Sequence, residues 1–107
     1  MYRITVVALP GCNLCDGLVS NLEEANIPYK LVDAKSHNSL CDMLEVMLKT
    51  TKYPIAIFEI PERAYFICMP DDMERMGYKL LDDSSTSVGV TSPSEILNTI
   101  VELKNKL

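Results

Sequence analysis

Apolar and polar positions along the chain follow two different periods, and each change of period marks an element. Arg3–Leu9 (RITVVAL) is β-branched and mostly apolar, the composition of a strand covered on both faces. Pro10-Gly11 breaks it. From Cys12 the pattern turns helical. Leu14, Leu18, Leu22 and Ala25 recur at steps of three and four, Val19 widens the stripe, and Asn21, Glu23 and Glu24 fall outside it. Asn26 and Pro28 end that helix, and Tyr29–Asp33 (YKLVD) reads as a short strand.

A second helix is expected from Asn38 or Ser39, with Ser39 and Asp42 as a capping-box-like pair. Leu40, Met43, Leu44, Met47 and Leu48 supply its apolar face, and Lys49-Thr50-Thr51-Lys52 breaks it. Ile55–Ile60 (IAIFEI) and Tyr65–Met69 (YFICM) are two strands joined by Pro61-Glu62-Arg63-Ala64, a separation that suits an antiparallel hairpin. Asp71–Ser87 lacks either period and is expected to be a loop-rich insertion with a short helical turn near Met73. The last helix is signalled best. Ser92 is its N-cap, Pro93 its first residue, and Glu95 completes a Ser-x-x-Glu capping box ahead of Ile96, Leu97, Ile100, Val101 and Leu103. The order β-α-β-α-β-β-α is that of an α/β domain.

Length and composition narrow the class. A chain of 107 residues, 48% hydrophobic and 23% charged, is one domain (1–107) able to bury a core without disulfide staples. No apolar run approaches the ~20 residues that span a bilayer. The run Ile4–Leu9 is too short for a secretory signal, so the protein is expected to be cytoplasmic. The formal charge of −5 offers no basic footprint for nucleic acid or an anionic membrane. The Asp71–Ser87 insertion carries much of that charge, in Asp71, Asp72, Glu74, Asp82 and Asp83 against Arg75 and Lys79.

Candidate chemistry lies in the cysteines. Cys12 and Cys15 form a C-x-x-C pair, while Cys41 and Cys68 stand alone and read as small buried apolar residues. Helical residues i and i+3 share a face, so the pair can approach within disulfide distance. Cys12 would start the helix, where unpaired N–H groups and the dipole stabilise a thiolate; Cys15 lies one turn in. Cys12 is therefore the attacking sulfur and Cys15 the resolving one. The competing reading is half of a zinc site completed by Cys41, Cys68 or His37. Such sites usually bring a second closely spaced pair, which this chain lacks, and no metal is assigned.

The element order, Cys12-Asn13-Leu14-Cys15 after the first strand, and Tyr53-Pro54 before the third together resemble the glutaredoxin family of the thioredoxin superfamily. The resemblance covers nearly the whole chain apart from Asp71–Ser87. It implies a thioredoxin-like fold with a central mixed four-stranded sheet. Pro54 would be a cis proline facing the cysteines, and the Tyr53 backbone a hydrogen-bonding partner for glutathione or a peptide. Gly89, Thr91 and Ser92 would lie where the family grips a glutathione carboxylate, although Val90 replaces the second glycine of its Gly-Gly pair and Pro93 lacks an N–H. Lys52 would supply positive charge. The activity implied is that of a monomeric thiol–disulfide oxidoreductase with no tightly bound cofactor. Its partners would be a disulfide-containing protein, glutathione as reductant, or a thioredoxin-type reductase in its place. The alternative is a binding module that keeps the fold without turnover.

Overall fold

The computed structural model describes residues 1–107. Strand β1 (Arg3–Ala8) leads into helix α1 (Asn13–Glu24), which returns the chain to β2 (Lys30–Asp33). Strands β1 and β2 pair in parallel, with Val6 opposite Leu31. After a 3₁₀ turn at Ala34–Ser36 come α2 (Asn38–Leu48), β3 (Ile55–Ile60) and β4 (Arg63–Cys68). Strand β3 runs antiparallel to β1 and to β4. Next, β5 (Gly77–Asp82) and β6 (Ser85–Gly89) precede α3 (Pro93–Asn105). No helix is long and apolar enough to cross a membrane.

The β-α-β-α-β-β-α frame is present, but the sheet has six strands rather than four, in the order β2-β1-β3-β4-β6-β5. The expected loop-rich insertion is mostly a β-hairpin: β6 pairs in parallel with β4, and β5 closes the edge antiparallel to β6. The expected helical turn is there, as a 3₁₀ turn at Met73–Arg75. Hydrophobic periodicity misses this hairpin for two reasons. Most of β5 is exposed, and β6 (STSVG) fills two of its four buried positions with Thr86 and Ser87, which count as polar. Those hydroxyls are partnered: Thr86 Oγ1 accepts from Arg63 at 2.9 Å, and Ser87 Oγ donates to the Lys79 carbonyl at 3.4 Å.

Alternation along the strands sends side chains into two cores. Ile4, Val6, Ala56, Phe58 and Ile67 face α1 and α3, meeting Leu18, Leu22, Ile96, Ile100 and Leu103. Val7, Ile55 and Cys68 face α2, meeting Cys41, Leu44 and Leu48. The second cluster also holds Cys15 and Tyr53, so the candidate site sits on the α2 side of the sheet.

Three local expectations change. Met43 points away from the core of α2 and is 54% exposed. Helix α2 starts at Asn38 with His37 in the cap position and no side-chain cap, so Ser39 lies inside the first turn and cannot pair with Asp42 as a cap. Asp33 caps the preceding 3₁₀ turn instead, accepting from Lys35 N at 2.9 Å. The β3–β4 turn is tighter than expected, with Ile60 paired to Arg63 across Pro61-Glu62.

Candidate active site

Gly11 carries the chain from β1 into α1 with a φ of +70°, a left-handed conformation open to glycine and strained for most other residues. Cys12 follows as the N-cap of α1, and its Sγ accepts a hydrogen bond from Cys15 N at 3.1 Å. A sulfur thus takes the role usually filled by a serine or aspartate oxygen. Cys12 and Cys15 are joined as a disulfide, with their Cα atoms 5.2 Å apart. The two sulfurs are unequal. Cys15 is buried in the core beneath α2, whereas Cys12 is only partly covered.

The Tyr53-Pro54 peptide bond is cis, and the Tyr53 carbonyl oxygen lies 3.9 Å from Cys12 Sγ. The Tyr53 ring turns inward against α2, where its hydroxyl donates to Glu45 Oε2 at 2.7 Å. Burial first, then the bonds to Glu45 and Cys41, raise the phenol pKa, so the hydroxyl stays protonated and donating.

The loop ahead of this peptide is tied at three points. Buried Thr50 donates its hydroxyl to the Met69 carbonyl at 2.6 Å and accepts from Lys52 N at 3.0 Å. Thr51 donates to Asp71 Oδ2 at 2.8 Å, and Asp71 N donates to the Lys49 carbonyl at 2.9 Å. Lys52 is exposed and enters this network through its backbone N–H.

The segment before α3 is organised by its own side chains. Gly89 is buried in β6, where a Cβ would meet the backbone of Arg75 and Met76, with the Met76 Cα at 2.9 Å. Its smallness therefore answers a packing demand. Val90 N donates to the Cys68 carbonyl at 2.8 Å. Thr91 donates its N–H to Glu95 Oε1 at 2.6 Å and adds its hydroxyl to the same oxygen. Ser92 Oγ accepts from Glu95 N at 3.3 Å. The expected capping pair is thus present, with the Glu95 carboxylate reaching back to Thr91 rather than to the cap residue itself. These bonds hold the Glu95 carboxyl below its ordinary range.

The structure therefore brings Cys12, Cys15 and the Tyr53 carbonyl together, and leaves Lys52 on the surface. Cys41 and Cys68 are free thiols buried in the same cluster as Cys15. Cys41 Sγ donates to the Ala34 carbonyl at 3.4 Å. Burial, and secondarily the charge of Asp71, push the Cys68 thiol up to about 12. His37 is exposed with Nδ1 at 3.0 Å from the Asp33 carbonyl, and no group of three or more His, Cys, Asp or Glu side chains is arranged to hold a metal ion. Sequence reasoning missed Glu45 and Thr50. Glu45 is a single carboxylate between Leu44 and Val46 of α2 and reads as one solvated position off the apolar stripe, and Thr50 lies in a stretch that reads as a helix break.

No family model matches the chain, and no curated protein is significantly similar to it. Among solved structures it is similar to the thioredoxin-like protein BC3987, at 24% identity over 51% of this chain and 74% of that chain, with a TM-score of 0.46. Independently of that likeness, an α/β sheet presents a disulfide-forming C-x-x-C at the start of its first helix, one sulfur outward and one buried, which is the arrangement of a dithiol–disulfide redox centre.

Proposed function

We propose that the protein is a glutaredoxin-like thiol–disulfide oxidoreductase that reduces protein disulfides, acting as a cytoplasmic monomer without a tightly bound cofactor. The observation that carries this reading is the Cys15 N–H bonded to Cys12 Sγ at the helix N-terminus. In the reduced protein that donor and the helix dipole favour the Cys12 thiolate. The thiolate attacks one sulfur of a substrate disulfide, forming a Cys12 mixed disulfide and expelling the first substrate thiolate. Cys15 then attacks Cys12 Sγ, forming the intramolecular disulfide and releasing the second substrate thiolate. Two electrons pass from the dithiol to the substrate.

Regeneration needs a thiol reductant, and glutathione is the one that the resemblance favours. A specific observation supports a second reading, in which a thioredoxin-type reductase does this instead. The Thr91 N–H and hydroxyl, at the place where an external carboxylate would be held, are already engaged by Glu95.

The test is glutathione-dependent reduction of a small mixed disulfide by the parent, Cys12→Ser and Cys15→Ser proteins. Turnover in the parent that disappears in Cys12→Ser supports the reading, and Cys15→Ser should accumulate the mixed disulfide. Turnover only with a reductase and its nicotinamide donor supports the second reading. No reduction of any disulfide by the chemically reduced parent overturns both.

A further inference from the structure

A recess of about 340 Å³ opens between the β1–α1 turn, the first turns of α1 and β2. Its apolar walls include Leu9, Pro10, Val19 and Leu31, its carboxylates belong to Asp16 and Asp33, and no lysine, arginine or histidine lines it. The recess also touches Cys15. Leu9 is 39% and Leu31 54% exposed, as is Leu14 between the two cysteines at 54%. Asp33 is committed to Lys35 N and Ser36 Oγ. Asp16 has no cationic partner, since the single ion pair of the chain joins Lys106 to Glu102.

Geometry dictates what reaches this place. A substrate sulfur must come within about 2 Å of Cys12 Sγ to exchange. An extended polypeptide advances about 3.3 Å per residue, so residues two or three positions from that sulfur pass over the surface beside Cys12. Pro10 and Gly11, which immediately precede Cys12, lie on the recess wall. An aliphatic side chain entering there removes apolar surface from water on both partners. A carboxylate entering there would face Asp16 without a compensating cation, whereas a lysine or arginine would complement it.

On the reading that Cys12 exchanges with disulfides, we propose that this recess selects the substrate. It receives an aliphatic side chain from the segment flanking the target cysteine of a protein disulfide, with a basic residue of that segment set against Asp16. The preferred substrate is then an apolar and basic polypeptide stretch rather than an anionic tripeptide thiol.

The experiment uses the full chain, reduced and freed of reductant, and peptides whose single cysteine is joined to the chromogenic thiol 5-thio-2-nitrobenzoate. One pair of peptides carries Leu or Ser two residues either side of the cysteine. A second pair carries Lys or Glu beside the leucines. Release of the coloured thiolate gives the second-order rate constant. Leu should exceed Ser by about tenfold, in line with burial of one aliphatic side chain. Lys should exceed Glu even at about 0.5 M salt, where long-range attraction is screened.

Leu31→Ser should bring the Leu:Ser ratio toward unity, and Asp16→Asn should do the same for Lys:Glu. Leu31 is half-exposed on an edge strand and Asp16 is exposed, so neither change threatens the core. Equal rates across the peptides, or ratios unaltered by the two substitutions, overturn the recess as a selector while leaving the redox reading intact. Failure of the protein to react with every peptide and with the free aryl disulfide overturns the redox reading, and the selector with it.

Discussion

The Tyr53 hydroxyl donates to Glu45 at 2.7 Å while the carbonyl of the same residue faces Cys12 Sγ at 3.9 Å. One side chain thus links the flank of α2 to the peptide beside the reactive sulfur. The two ends differ in exposure. Tyr53 is buried, and Glu45 lies partly in solvent.

That difference predicts unequal mutants. Glu45→Ala strands a buried hydroxyl and should cost about 1–3 kcal/mol, whereas Tyr53→Phe leaves a carboxylate that water can rescue and should cost about 1 kcal/mol. Glu45→Gln keeps an acceptor and should stay closest to the parent. In the Glu45→Ala/Tyr53→Phe double variant the losses should not add. Urea unfolding of the set measures this, and strict additivity would remove the link.

Two glycines should respond oppositely to alanine. Gly89→Ala drives a methyl into the Arg75–Met76 backbone and should destabilise by about 1–3 kcal/mol or rearrange the turn at Met73–Arg75. Gly17→Ala has nothing within 4 Å of the new methyl, on a turn of α1, and should stabilise by about 0.5–1 kcal/mol. Thermal unfolding of both variants decides the matter.

The reduced native protein should take one equivalent of iodoacetamide quickly near neutral pH, at Cys12, and four in urea. Cys68 adds a pH signature. Below its ordinary value of 9.0 both folded and unfolded chains keep the proton; between 9.0 and about 12 only the folded chain does. Stability therefore declines as pH rises through that window. The decline should be shallower in Cys68→Ala when urea midpoints are compared on either side of pH 9.0.

Glu95 works in the other direction. Its carboxyl is held below the ordinary 4.5 by Thr91, so the linkage is complete above 4.5 and is lost as pH falls below it. Glu95→Gln should leave stability less sensitive to acid over that range, and a parallel acid response in both proteins would refute this.

Much of the fold is legible in the sequence because burial is paid in apolar residues at regular spacing. The strands around Val6 and Phe58 and the stripes of Leu18–Leu22 and Ile96–Ile100 announce themselves in this way. The β5–β6 hairpin does not, since Thr86 and Ser87 are buried through hydrogen bonds that only the folded chain supplies. The site divides along the same line. Cys12 and Cys15 depend on local spacing and a helix start, which the sequence states. Glu45, Thr50 and the Thr91–Glu95 bond depend on which distant segments meet, and residue types alone do not disclose it.

The added hairpin also decides where the sheet stops. Without it β4, with Tyr65, Phe66 and Ile67, would offer an open row of amides and carbonyls to any passing chain; with it, that row is paired to β6. The new margin is β5, where Tyr78 and Leu80 are exposed. It is a poor template for further growth: Lys79 places a charge mid-strand, and the register shifts between Leu80 and Asp82. A segment that reads as an acidic excursion therefore serves as a guard against edge-to-edge aggregation.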